Sequence, residues 1–212
     1  MNAVWDAATR ENPNLFDGPV VVCTAVEQHP PAALRISWAR ATYRIHALRR
    51  VPGATSWHPS LFVTALQPTP EGSLLVGQMS SSTAAPRRWQ LPGGSVEPPP
   101  DHEILDLDWL QRQASRELEE ETGVEVQPAE LGLWTVTRGH DGNIGVHFLA
   151  PPKSATFLHD RYSLLMSSEK AAGRTPEFDR IALAWSTADL RHLDGQKADY
   201  LGPVIRGFSE GR

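Results

Sequence analysis

The chain has 212 residues, 40% of them hydrophobic and 21% charged, with a formal charge of −5. This length allows a full core in one domain, or one domain with an extension, and the acidic balance argues against a nonspecific nucleic-acid binder. No apolar run approaches the ~20 residues of a helical membrane span, the first residues lack the basic and apolar stretches of a signal peptide, and a single cysteine excludes an internal disulfide. A cytoplasmic protein is expected, with Cys23 a buried small hydrophobe.

Residues 1–17 are polar, with Pro13 and several Asn, and predict a loosely held arm. The Val-rich run 19–27 predicts a strand, His29-Pro30-Pro31 a break, and 34–48 a second strand through Leu34, Ile36, Trp38, Tyr43 and Ile45. Together they predict an N-terminal β hairpin within 1–55, ahead of a core over 56–212, with Val51-Pro52-Gly53 at the junction. Runs 60–66 and 74–79 predict paired strands joined by the turn Thr69-Pro70-Glu71-Gly72. A polar loop, 80–86, leads to a short strand, Trp89-Gln90-Leu91, and the turn Pro92-Gly93-Gly94.

A helix follows, starting at Asp101 or Asp106 and ending at Thr122, with Gly123 as its C-terminal cap. Leu107, Leu110, Ala114 and Leu118 form its apolar stripe. Strands are expected over 130–137 and 144–150, around the turn 138–143. A helix is expected over 162–172, entered from about Thr156, then a strand over 181–185, a turn or helix over 186–190, and a last helix over 199–208 weakened by Gly202-Pro203. This alternation predicts a mixed α/β sandwich.

The chemistry concentrates in Arg116-Glu117-Leu118-Glu119-Glu120-Glu121-Thr122-Gly123-Val124. Residues three and four apart share a helix face, so Glu117, Glu120 and Glu121 lie together and Glu119 points away. Like charges at that spacing repel, and a cation would relieve them. Oxygen-only ligands favour a hard ion, Mg²⁺ or Mn²⁺ before Zn²⁺.

With Leu91-Pro92-Gly93-Gly94-Ser95-Val96-Glu97 upstream, this segment resembles the signature box of the Nudix hydrolases, which cleave nucleoside diphosphates linked to another group. Arg116, Glu117, Leu118, Glu120, Glu121, Gly123 and Val124 each match it, and the likeness covers roughly 59–190. It implies a Nudix-type α/β/α sandwich and an Mg²⁺-dependent pyrophosphohydrolase, in which Glu117, Glu120, Glu121 and the Gly93 carbonyl hold the metal. It also implies that Arg116 orients the carboxylates, and that the general base is a box glutamate (Glu120 or Glu121) or a carboxylate of a later loop. Glu177 and Asp179 sit before the apolar run 181–185, and Glu177 is favoured. The alternative is a non-catalytic nucleotide-binding or regulatory module on the same scaffold, which the intact glutamates disfavour.

One departure is clear. Gly94 precedes Arg116 by twenty-two residues where the usual box has fourteen, so eight are inserted. Pro98-Pro99-Pro100 and the acidic run behind it predict a rigid turn and an earlier helix start. The family's intervening glutamate has no clear counterpart: Pro100 and Asp108 occupy its place by the two ways of counting. The N-terminal strand pair, the widened box and Gly142-Asn143 before a strand with Phe148 also resemble the branch that hydrolyses UDP-glucose and UDP-galactose, so a nucleotide sugar is one expected substrate. Arg87 and Arg88 are candidates for phosphate. So are His140, His147 and His159, although ordinary loop or strand roles fit them better. Trp38, Trp57, Trp89 and Trp134 offer either a stacking platform or core packing. The expected partner is a nucleotide-type small molecule, with no nucleic acid and no membrane, and a homodimer stays open.

Overall fold

The computed structural model describes residues 2–29, 33–51 and 58–211. The expected N-terminal arm is instead a helix, α1 (Asn2–Glu11). Val4, Trp5 and Ala8 recur at helical spacing and turn inward, with Ala8 buried. The hairpin is present: β1 (Pro19–His29) pairs antiparallel with β2 (Ala33–Thr42), from Pro19 opposite Thr42 to His29 opposite Ala33, with a bulge between Cys23 and Ala25. Its expected breakers Pro30 and Pro31 lie outside the described residues, as do Pro52 and Gly53 of the junction.

The second strand stops at Thr42 rather than reaching Leu48, because residues 43–50 form a 3-10 helix (Tyr43–Arg50). The Tyr43 N–H donates to the Gly18 carbonyl at 2.9 Å, and Asp17 accepts from the Arg44 N–H at 2.9 Å. These bonds turn the chain back over β1. The buried half of β1 joins the main core: Val21 N–H donates to the Val96 carbonyl and Cys23 N–H to that of Pro59, each at 2.8 Å. Burial pushes the Cys23 thiol up to about 11, as fits an inert core residue.

Two three-stranded sheets follow. In the first, β7 (Ile144–Leu149) lies parallel to β3 (Leu61–Leu66) and antiparallel to β6 (Gly132–Arg138). In the second, β4 (Leu74–Met79) lies between β5 (Trp89–Gln90) and β8 (Phe178–Ala184), antiparallel to both. So β3 and β4, expected to pair, enter different sheets; past the end of β3, Pro68 bridges Leu74 and the Leu75 N–H donates to the Gln67 carbonyl at 3.0 Å. All of β4 and nearly all of β3 is buried. A strand covered on both faces reads as a continuous apolar run, which carries no information about its partner.

Helix α2 (Leu107–Thr122) begins where the Asp106 carboxylate accepts the Trp109 N–H at 2.9 Å and ends where Gly123 adopts φ +73°. Of the two predicted starts, Asp106 is correct and Asp101 is not. The insertion before it adds no helical turn and is tied to β2, where Arg40 donates to the Pro99 carbonyl and pairs with Asp101 at 3.1 Å. Ala114 and Leu118 are fully buried, while Leu107, expected on the apolar stripe, is 43% exposed. Trp109 packs against the core beside Leu110 instead.

Helices α3 (Ala155–Ala171), α4 (Thr187–Leu190) and α5 (Leu201–Glu210) complete the fold. One core unites Val63, Leu75, Val146 and Phe148 with Ala114 and Leu118 of α2 and Leu158 of α3. The other unites Leu66, Val76 and Trp89 with Leu201, Val204 and Ile205 of α5. Helices thus cover both faces of mixed strands, an α/β/α sandwich. No described helix is long and apolar enough to cross a membrane.

Candidate active site

The last turn of α2 carries Glu119, Glu120 and Glu121 and no basic residue. Carboxylates at a helix C-terminus oppose the helix dipole, and Glu121 is only 2% exposed besides. Nothing in folding favours this arrangement, which makes it the candidate site. The glycine turn accommodates it. The Gly93 N–H donates to Glu121 Oε2 at 2.7 Å. A Cβ on Gly93 would lie 2.1 Å from the Val63 carbonyl oxygen, at a φ of +152° that L side chains rarely adopt. A Cβ on Gly94 would lie 2.7 Å from Glu117 Oε1. Gly94 therefore clears the space that Glu117 occupies, and Gly93 lets the turn close against Val63 while its N–H holds Glu121.

Burial first, then the charges of Glu117 and Glu177, holds the Glu121 carboxyl well above its ordinary range, and no donor reaches its buried Oε1. Burial and then the charge of Glu177 push Glu117 up to about 7. Glu120 is shifted upward too, by burial, with Arg116 opposing. Its side chain is 63% exposed, and Glu119 is exposed on the far side of the helix. Arg116 lies 4.0 Å from both Glu117 and Glu120 and 3.4 Å from Glu97. The carboxylates converge without closing into a finished metal centre: among the described residues, no three His, Cys, Asp or Glu side chains stand at metal-holding spacing. The buried, partnerless Oε1 and the mutual repulsion of Glu117, Glu121 and Glu177 fit a hard cation. The Gly93 carbonyl, implied as a further ligand, accepts a long bond of 3.3 Å from the Gln90 amide.

Glu177 reaches this cluster because of a bulge. In the β4–β8 ladder Gln78 faces Arg180 and Met79 faces Phe178, leaving Asp179 as the extra residue. Glu177, Glu117, Gly93 and Gly94 all line one cleft of about 630 Å³. Asp179 does not line it; its charge acts on Tyr162 instead.

The other candidates separate as clearly. Arg88 lines the cleft, its guanidinium donating to Gln90 Oε1 at 2.7 Å while its Nε is buried with no hydrogen-bond partner. Arg87 pairs with Asp194 at 3.3 Å, away from the cleft. His147 is buried with a Thr hydroxyl at 2.7 Å from each ring nitrogen, those of Thr64 and Thr137, so it offers nothing to a phosphate. His140 is an exposed partner of Asp199, and His159 is exposed on α3. Trp38, Trp89 and Trp134 pack in the cores, and Trp57 lies outside the described residues. The rings of Phe16, Tyr43, His46, Phe62 and Tyr200 line the cleft, and sequence reasoning gave none of them a site role. Glu97, read in the sequence only as the end of the segment Leu91–Glu97, pairs with Arg116 across the inserted segment.

The raised carboxyls have a measurable consequence. Glu117 titrates near 4.5 when unfolded and about 7 when folded. Between those values the folded state keeps a proton that the unfolded state has lost, so stability falls as pH rises. His147, lowered to about 4 by burial, acts in the opposite sense over an overlapping range, so the total curve hides the effect. The difference between variants exposes it. Glu117→Gln in metal-free buffer is expected to match wild type below pH 4.5 and to exceed it by about 2–3 kcal/mol above pH 7. Urea unfolding across that range measures it, and a constant difference between the two proteins refutes it.

No protein-family model matches the chain, and no curated protein matches it. Solved structures resemble it at low identity. A NUDIX hydrolase from Nitrosomonas europaea is 16% identical, covering 72% of this chain and 89% of its own, at a TM-score of 0.45. The NUDIX domain of Shewanella oneidensis NrtR, complexed with ADP ribose, is 17% identical, covering 73% and 88%, also at 0.45. DR0079 from Deinococcus radiodurans is 12% identical, covering 88% and 96%, at 0.46.

Proposed function

We propose that this chain is a divalent-metal-dependent pyrophosphohydrolase acting on a nucleoside diphosphate linked to another group. Residues 56–212 would carry the chemistry and 1–55 shape the cleft. The observation that carries this reading is the convergence of Glu117, Glu121 and Glu177 beside the Gly93-Gly94 turn, at a cleft of about 630 Å³. Side chains so costly to bury together are kept for a reason other than stability.

Glu117, Glu120 and Glu121, with the Gly93 carbonyl, would hold Mg²⁺ or Mn²⁺. Such an ion, when bound, offsets phosphate charge and makes water more acidic. Arg116 keeps Glu117 and Glu120 oriented. Arg88, which lines the cleft, binds a phosphate oxygen through its guanidinium. Glu177 takes the proton of the attacking water. That water's oxygen bonds to one phosphorus, the bridging anhydride P–O bond breaks, and two phosphate monoesters leave. The test is a panel of nucleotide sugars, ADP-ribose, dinucleotides and nucleoside triphosphates, assayed for released phosphate esters with and without Mg²⁺. A nucleotide sugar is the first choice, on the resemblance of the N-terminal strand pair and widened box. Turnover of at least one diphosphate that disappears with EDTA is expected. Binding without turnover across the whole panel would favour the non-catalytic module.

A further inference from the structure

The segment between α1 and β1 is pinned at both ends. At one end Asn12 Nδ2 lies 3.3 Å from the Thr83 carbonyl and 3.4 Å from that of Ala84, and Asn14 Nδ2 donates to the Ser81 carbonyl at 3.3 Å. At the other, Asp17 accepts from the Arg44 backbone and pairs with its guanidinium, and the Gly18 carbonyl accepts the Tyr43 N–H at 2.9 Å. The segment thus runs as a strap from the loop after β4 to the 3-10 helix. Asn14, Phe16 and Gly18 line the same cleft as Glu117 and Glu177.

Phe16 sits midway on this strap and is 79% exposed, the most exposed of the large hydrophobic side chains among the described residues. Lone exposed hydrophobics are common on loops. This one is not on a free loop. Hydrogen bonds fix the backbone on either side of it, and a Cβ on Gly18 would come within 3.1 Å of its ring. An uncovered aromatic ring is therefore held in place on the wall of a polar cleft. The same cleft is lined by Arg88, whose Nε is buried without a partner, and by the carboxylates of Glu97, Glu117 and Glu177. A ring face, a spare cationic donor and a carboxylate cluster suit one molecule carrying a planar heterocycle, a phosphate and a second phosphate near a cation.

We propose that Phe16 is a specificity-determining residue, whose ring stacks on the nucleobase of the substrate while Arg88 binds its phosphate. This rests on the pyrophosphohydrolase reading. Stacking accepts any base, because every base has a π-face, but gives nothing to a substrate without one. The strap is thus a device for choosing nucleotides over simpler diphosphates.

The test compares wild type, Phe16→Ala and Phe16→Trp in the full chain with Mg²⁺. The substrates are the nucleoside diphosphate derivatives of the panel and 5-phosphoribosyl diphosphate, which has no base. Because the ring is exposed, its removal leaves the core intact, and a thermal melt checks this. Phe16→Ala is expected to raise KM for the nucleotide about 10-fold or more with kcat within about twofold, and Phe16→Trp to restore it. The KM for 5-phosphoribosyl diphosphate stays unchanged. If the nucleotide KM does not move, or both substrates weaken equally, the proposal is overturned while the hydrolase reading stands. If wild type turns over neither kind of substrate, that reading fails and the proposal falls with it.

Discussion

Glu117→Gln and Glu120→Gln are each expected to lower kcat by at least about 100-fold, and Glu119→Gln to leave it within about twofold. All three substitutions remove one charge and keep the side chain's shape, so net charge is matched. Position decides the outcome. Glu117 lines the cleft against Gly94 and is repelled by Glu177. Glu120 shares Arg116 with it at 4.0 Å. Glu119, on the opposite side of α2, is exposed and in none of these contacts. A loss of about 100-fold is about 2.7 kcal/mol, within what a removed ligand of a phosphate-activating ion accounts for. The measurement is steady-state turnover at saturating Mg²⁺, with Mg²⁺ affinity determined separately. Equal losses at Glu119 and Glu120 would dissolve the facial assignment.

How much of this was legible in the sequence depends on how local each determinant is. Helix α2 ends where Gly123 says it must, because a left-handed cap is a single-residue property, and it starts at Asp106 because a capping carboxylate acts three residues away. The turn at Gly93-Gly94 was equally visible. What it does was not: Glu117, which needs the space at Gly94, lies 23 residues further on, and Glu121, which the Gly93 N–H holds, lies 28 further on from Gly93, so only the fold brings them there. The pairing of β3 and β4 failed for the same reason, since a strand buried on both faces names no partner. Helix α1 was hidden by polar composition, although Val4, Trp5 and Ala8 have the right spacing. Glu177 was visible as an acid before an apolar run. Its difference from Asp179 was not, because that rests on a bulge set by register against β4.

That difference yields the sharpest remaining expectation. Glu177→Gln should lower kcat by about 100-fold or more, the range of a lost general base, while Asp179→Asn should leave it nearly unchanged. Mg²⁺ affinity tells the two roles open to Glu177 apart. The charge of Glu177 raises the carboxyls of Glu117, Glu120 and Glu121. Removing it lets those groups ionise at lower pH, so Mg²⁺ binding should persist further into the acidic range than in wild type. A ligand removed from the ion would do the reverse and weaken binding at every pH. The expected pattern is therefore a large fall in kcat, an altered acidic limb of the kcat profile, and Mg²⁺ binding that is equal or stronger below pH about 7. Near-wild-type kcat in Glu177→Gln would move the base to the box, where the exposed Glu120 is easier to protonate and deprotonate than Glu121, which is sealed against Gly93. A fall in both kcat and Mg²⁺ affinity would instead make Glu177 a ligand, and the bulge at Asp179 the feature that delivers it.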